Sequence, residues 1–421
     1  MKIKKLIPWF VIKTYHFLLA FAGAVLYRFP SRKLKVVGIT GTKGKSTTVL
    51  LAGKVLEEAG FKVGWISSAS IKVGGREWLN PYHMTMPGRF VIQRLMSQMV
   101  KEKCQYCLVE VTSEGIVQNR HKFISFLTAV FLNLRPEHIE AHGSFENYRA
   151  AKIGLFKAVK KNHIVNLDDE NARFFLGFSA DKKIGFTMNE QRRNKEMNVI
   201  CYSLLPASEK GVSFKVEDKI FNLNLIGSFN ASNALAAISI GFSEGVTLDT
   251  CKRALERITQ IPGRMEVIKD KPFKVIVDLA HTPDSYQEVF KAVKALSCTR
   301  IITVMGAAGG GRDKWKRPVL GKTAAENSDI IILTNEDPYE ENPGQILSEI
   351  KAGIANEGFS ESNLFEILDR REAIKKALIM AKEKDVVLIL GKGTEQLMVV
   401  GDKKIPWDDR KIAREELKQL A

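Results

Sequence analysis

Residues 34–59 constrain the fold more than any other part of this chain. The apolar run LKVVGIT (34–40) leads straight into Gly41-Thr42-Lys43-Gly44-Lys45-Ser46-Thr47, and a helical pattern covers 46–59. A buried strand that breaks at a glycine turn and restarts as a helix gathers backbone N–H groups around phosphate oxygens. The partial positive charge of the helix N-terminus lies behind them. Lys45 is then placed to reach the terminal phosphates and Ser46 to ligate Mg²⁺. Strict loops of this class have glycine where this chain has Ile39, but the rest of the pattern is intact. The segment predicts a site for ATP with Mg²⁺, held by Gly41 through Thr47.

Short apolar runs keep alternating with amphipathic segments beyond this loop. KVGWIS (62–67), YCLVEV (106–111), TAVFLNL (128–134) and HIVNL (163–167) read as buried strands, with a helix over 145–160. Such alternation predicts a parallel sheet covered by helices on both faces. VSFKV and KIFNLNL, within 171–225, suggest hairpins at its edge. After Pro262-Gly263 the pattern restarts with KVIVDLA, RIITVMG, DIIILT, LFEIL and DVVLILG. The expected class is α/β: a P-loop ATPase domain with a parallel sheet (34–262) plus a Rossmann-like C-terminal α/β domain (263–421). A length of 421 residues accommodates both.

Residues 1–33 stand apart. MKIKK precedes an apolar stretch over 6–29 that only Lys13 and Arg28 interrupt. Its charge-free run, 14–27, is shorter than the ~20 residues that span a bilayer. A signal peptide cleaved at Ala22-Gly23-Ala24 conflicts with the ATP loop that follows so closely. Two readings stay open: a helix packed on the protein itself, and an interfacial anchor whose basic flanks meet headgroup phosphates. The formal charge of +17 suits an anionic ligand, a nucleic acid or an acidic membrane alike. No base-stacking aromatic pattern or helicase-type series accompanies it, so nucleic acid is not expected as a partner. Five cysteines, with Cys104 and Cys107 forming a single CxxC, argue against a disulfide framework or a four-ligand zinc site and for the cytoplasm.

A P-loop needs a second anchor for Mg²⁺, and Glu110 at the end of YCLVEV supplies a carboxylate where an apolar strand would otherwise exclude one. At this point the motifs resemble those of a known family. GTKGKST resembles the ATP loop of the Mur ligases, the ATP-dependent amide-forming enzymes of cell-wall peptide synthesis. EVTSEG is similar to their Glu-Val-Ser-Ser-His segment, with Glu114 in the place of His. NLRPEHIEAHGSFENYRAAK, LIGSFNASNALAA, IPGRMEVI, VDLAHTPDS, GAAGGGRDKWKRP, NEDPYEENP, DRREAI, GKGTE and DDR continue in the family's order, nearest to the MurE branch. The domain that usually holds the uridine nucleotide in these ligases finds no counterpart, and the leader stands in its place.

The resemblance implies ATP-dependent joining of an amino acid to a muramyl-peptide carboxylate through an acyl phosphate, by a cytoplasmic monomer acting on small molecules. Lys45, Glu110, His138 and Lys152 would be catalytic. His138 would ligate a second Mg²⁺, and Lys152, carbamylated, would help to hold it. Asn230 and Asn233 would lie beside adenine, and Arg264, Asp278 and His281 would meet ribose and phosphates. Thr85, Pro87, Ser113 and Arg120 would face the acyl substrate, and Asp337, Tyr339 and Glu395 the incoming amino acid. Branches that add meso-diaminopimelate carry Asp-Asn-Pro-Arg where this chain has Tyr339. Tyr339 supplies no cation for a distal carboxylate, so a basic amino acid such as lysine or ornithine is expected. The alternatives are a relative acting on another acceptor (folylpolyglutamate synthetase-like, or an archaeal cell-wall peptide ligase) and a nucleic-acid-dependent P-loop ATPase.

Overall fold

The computed structural model describes residues 8–420 apart from 83, 138, 193–196 and 207–210. The chain opens with α1 (Trp9–Leu26), followed by β1 (Lys35–Thr40), α2 (Lys45–Glu58), β2 (Val63–Ile66), β3 (Ser70–Val73), β4 (Arg76–Leu79) and α3 (Arg89–Lys101). Next come β5 (Tyr106–Glu110), α4 (Ser113–Val117), β6 (Phe126–Phe131), α5 (Ile139–His142), α6 (Phe145–Ala158), β7 (Asn162–Asn166), α7 (Ala172–Leu176) and β8 (Lys182–Thr187). β9 (Asn198–Leu204), β10 (Val212–Val216), β11 (Lys219–Leu223), α8 (Phe229–Ser243) and α9 (Leu248–Glu256) complete the first sheet and its cover.

That sheet has eleven strands in the order β11-β10-β9-β8-β7-β6-β1-β5-β2-β3-β4. Its centre is parallel, from β9 across to β2, and an antiparallel hairpin closes each edge. The central strands are buried on both faces: β1 is exposed only at Lys35, and β5 not at all. Helices α2, α8 and α9 cover one face through Val49, Leu51, Val55 and the alanine-rich Ala231–Ala237 side of α8. α3 and α6 cover the other through Ile92, Met96, Leu155 and Phe156.

The second sheet is built from β12 (Glu266–Lys269), β13 (Lys274–Asp278), β14 (Ile301–Met305), β15 (Ile330–Leu333), β16 (Leu364–Glu366) and β17 (Val386–Leu390), in the order β12-β13-β17-β14-β15-β16. All its pairings are parallel except β12 with β13. Helices α10 (Pro283–Lys294), α11 (Lys316–Ala325), α12 (Pro343–Ala355), α13 (Arg370–Met380) and α14 (Asp409–Gln419) pack around it. A separate hairpin, β18 (Leu397–Val400) with β19 (Lys403–Pro406), stands before α14.

Helix α1 packs against α3. Ala20 and Ala24 are buried, and a side chain on Gly23 would meet the backbone of Arg89 and Phe90 at 3.6 Å. Ala20, Gly23 and Ala24 thus serve a close helix–helix approach. The rings of Phe17 and Phe21 lie 5.1 and 5.3 Å from Phe123.

Candidate active site

β1 runs between β5 and β6, so its carboxyl end opens in the middle of the sheet, where α/β folds place ligands. Asn133, just past β6, braces the loop from behind. Its Oδ1 accepts from the N–H groups of Thr42 at 3.1 Å and Lys43 at 2.9 Å, and its Nδ2 donates to Lys43 O at 3.1 Å. Gly44 has φ 81°, and a Cβ there would stand 2.2 Å from Asn233 Oδ1. Only glycine lets α8 come this close. Asn233 Nδ2 donates to Asn230 Oδ1 at 3.2 Å, Asn230 Nδ2 donates to Ile226 O at 2.9 Å, and both side chains are buried.

Behind the loop the carboxyl ends of β5 and β2 add polar groups. Register pairs Ile39 with Glu110, which sets that carboxylate beside the first turn of α2. Glu110 Oε2 accepts from Ser46 Oγ at 2.8 Å, from Ser68 N at 2.8 Å and from Ser68 Oγ at 3.1 Å. Lys45 Nζ lies 3.9 Å from Glu110 Oε1 and donates to Thr42 O at 2.8 Å. Burial lowers the Lys45 pKa, against the attraction of Glu110. From the linker, Arg264 donates to Ser46 Oγ and Ser68 Oγ, both at 3.3 Å. The hydroxyl and carboxylate oxygens here are the hard donors that Mg²⁺ prefers. Among the described residues no three His, Cys, Asp or Glu cluster as a metal cage. A cation at this place would rest on Ser46, Glu110 and the phosphates of ATP.

Lys152, on α6, is 2% exposed and donates to Gly41 O at 2.8 Å. Burial first, and the charge of Lys45 second, hold its pKa well below the ordinary lysine range. His138 lies outside the described residues. Glu137, beside it, reaches Lys43 Nζ at 3.3 Å and His281 Nε2 at 3.4 Å, which joins the ATP loop to the second sheet. Burial pushes His281 down to about 4. Asp278 anchors the turn after β13, accepting from Met265 N at 2.7 Å and Ala280 N at 2.6 Å, and burial raises its pKa.

The residues expected to face the acyl substrate form a second group, on the α1–α3 side. Thr85 is half-buried and Pro87 buried. Arg120 donates to Met86 O between them and to Gln118 Oε1 at 2.7 Å. Ser113 Oγ is 3.1 Å from His142 Nε2. A third group lies at the end of β15. Both oxygens of Asp337 accept from Lys392 Nζ at 2.9 Å, and Glu395 Oε2 accepts from the same ammonium at 2.6 Å. These carboxylates raise the Lys392 pKa, although burial works the other way. Tyr339, at φ 53°, lies against Gly310 and bridges to Val400 of β18. Its backbone N–H donates to Val399 O at 3.2 Å.

Sequence reasoning passed over Ser68, Asn133 and Glu137. Glu137 stood next to a flagged histidine and was within reach of inspection. Ser68 and Asn133 follow β2 and β6, and strand register alone brings them to the loop.

The descriptions "Mur ligase middle domain" and "Mur ligase, glutamate ligase domain" match residues 39–241 and 263–393. A UDP-N-acetylmuramoyl-L-alanyl-D-glutamate–2,6-diaminopimelate ligase of Clostridium acetobutylicum is 36% identical over 405 residues, which span 96% of this chain and 82% of the relative. The chain belongs to the Mur ligase family. A UDP-N-acetylmuramyl-tripeptide synthetase of a Roseiflexus species is 35% identical over 425 residues, covering 96% of this chain and 82% of that one. Among solved structures, a diaminopimelate-named ligase superposes with a TM-score of 0.62 at 28% identity, over 92% of this chain and 79% of its own. A Mycobacterium tuberculosis folylpolyglutamate synthase shares the fold, with a TM-score of 0.69 at 15% identity, over 91% of this chain and 96% of its own. As a Mur ligase the chain is an ATP-dependent peptide ligase of the peptidoglycan-precursor class.

Proposed function

We propose that this Mur ligase adds a diamino acid to a muramyl-dipeptide carboxylate, with Mg²⁺·ATP bound between the domains 34–262 and 263–421. One observation carries the reading: Lys45, Ser46 and Glu110 meet at the ATP loop, one hydrogen bond away from the buried Lys152. The substrate carboxylate attacks the γ-phosphorus, the bond to the bridging oxygen breaks, and ADP departs. The amine then attacks the acyl carbon, loses a proton, and inorganic phosphate leaves. Catalysis is mainly charge neutralisation and positioning.

Lys45 and Arg264 offset the phosphate charge, while Ser46 and Glu110 would hold Mg²⁺, which neutralises the triphosphate when bound. Asn230 and Asn233 line the adenine side, and Asp278 and His281 the ribose side. Carbamylated Lys152 and His138 would hold a second Mg²⁺. Thr85, Pro87, Ser113 and Arg120 receive the acyl substrate. The setting is the cytoplasm, with peripheral contact at the inner face of the membrane through α1.

The relatives are named for diaminopimelate. In this chain, Asp337 and Glu395 share the single charge of Lys392, and Tyr339 adds none. Arg312 adds a second cation beside Tyr339, but the two carboxylates still attract a side-chain ammonium, so lysine or ornithine is the proposed acceptor. Phosphate release with a muramyl-dipeptide substrate, measured for lysine, ornithine and meso-diaminopimelate, tests both levels. Preference for a basic amino acid is expected, with no turnover in Lys45→Ala. Preference for meso-diaminopimelate would overturn the acceptor assignment, and wild-type turnover in Lys45→Ala the site itself.

A further inference from the structure

Helix α1 is satisfied on one side only. Its small residues face α3, while Phe10, Val11, Leu18, Val25 and Leu26 point outward, from 42% exposed at Val11 to 70% at Phe10. No charged side chain interrupts this outer face; the helix's one Lys, Lys13, lies seven residues before the buried Ala20, on the other side, and its carbonyl accepts from Asn119 Nδ2 at 3.3 Å. A continuous apolar face of this size on a soluble protein marks a surface that something covers.

Charge identifies the cover. The first 56 residues contain no Asp or Glu, and the first 35 carry eight Lys or Arg. Arg28, Arg32 and Lys33, directly after the helix, are exposed. An apolar face bordered by cations alone is the composition of a helix lying in the headgroup layer of an anionic bilayer. No described helix is long and apolar enough to cross a membrane.

The acyl-side residues connect to the packed side of α1. Gly23 of α1 touches the Arg89 backbone, and the Arg89 Nε donates to Gln118 O at 3.1 Å. The Gln118 side chain accepts from Arg120, which in turn holds Met86 O between Thr85 and Pro87. Arg120 Nε is buried with no partner. A single helix thickness, about 10 Å, therefore separates these residues from the face that meets the membrane.

We propose that α1 docks the enzyme on an anionic bilayer and that its acyl substrate is taken from that surface, as a muramyl-peptide on a lipid-linked diphosphate. This rests on the ligase reading above. The test uses the full chain and its Leu18→Glu and Val25→Glu variants, both at exposed positions. Cosedimentation is measured with phosphatidylglycerol–phosphatidylcholine vesicles and with phosphatidylcholine alone. Phosphate release is measured with muramyl-dipeptide on uridine diphosphate in solution and on polyisoprenyl diphosphate in the same vesicles. Wild-type protein is expected to bind the anionic vesicles, and each variant to bind about tenfold less. The variants should lose turnover of the lipid-linked form and keep wild-type turnover of any soluble form. Failure to bind anionic vesicles, or a dimer in solution that the variants dissociate, would overturn the docking. Turnover of the soluble form alone would overturn the substrate assignment. Vesicle binding without turnover of either form would instead overturn the ligase reading.

Discussion

Two buried bases show how far single residues could be read in advance. Lys152 sits in an Ala-Ala-Lys helical run that looks like protein surface, and only the family match flagged it; in the fold it is 2% exposed. A low pKa gives it the neutral amine that CO₂ needs. Lys152→Ala is expected to fold normally and lose nearly all phosphate release, with added short-chain carboxylates restoring part of it. A folded, inactive variant that no carboxylate rescues would remove the carbamate from the mechanism. His121 carried no sequence signal. It is buried, with Nδ1 lacking a partner, and burial followed by repulsion from Lys122 pushes it down to about 4. In the unfolded chain it titrates near ~6.5. Between those values the unfolded state binds more protons, so the His121 contribution is present above pH ~6.5 and is lost as pH falls toward 4. His121→Asn should flatten that part of the stability profile, by on the order of 1–3 kcal/mol. Thermal melts from about pH 4 to about pH 7 measure it, and an unchanged slope would contradict the assignment.

At the level of elements, the parallel strands announced themselves because burial on both faces demands unbroken apolar runs. The hairpins β3–β4 and β18–β19 did not. β4 is exposed at three of its four positions and β19 at all four, so neither leaves an apolar signature. The hairpin of β10 and β11 was legible through its alternating burial. The leader left two readings open because one side of α1 packs and the other does not. The packed side gives a prediction. Ala24 is wholly buried at the contact with α3, and Ala24→Leu should cost about 1–3 kcal/mol through overpacking. Thermal melting compares it with Ala22→Leu on the exposed side, which should leave the melting temperature unchanged.

Across the whole molecule, the sequence marked Pro262-Gly263 as the place where the pattern restarts, but not how closely this linker packs on the second sheet. Gly263 has φ 57°, and a Cβ would stand 2.4 Å from the backbone of Gly393 and Thr394. Gly263→Ala is therefore expected to cost about 1–3 kcal/mol in backbone strain and to displace the Lys392–Glu395 loop. A lower melting temperature with a raised KM for the amino acid, and a smaller change for ATP, is the expected pattern; equal KM values would show that the loop does not move. A last consequence concerns the order in which the enzyme is made. Arg370 and Asp409 form a fully buried ion pair, and the same guanidinium holds the carbonyls of Asn335 and Leu390, at the ends of β15 and β17. Asp409 comes 39 residues later in the chain, which is about 2–8 seconds of synthesis. Until it arrives, closing the second sheet would bury Arg370 without its hydrogen-bonded partner, leaving only the attraction of Glu336, a penalty of up to about 3–5 kcal/mol. The ATP loop and every group that braces it from the first sheet have already been translated by then. A nascent chain thus carries a complete phosphate loop before its second sheet can close.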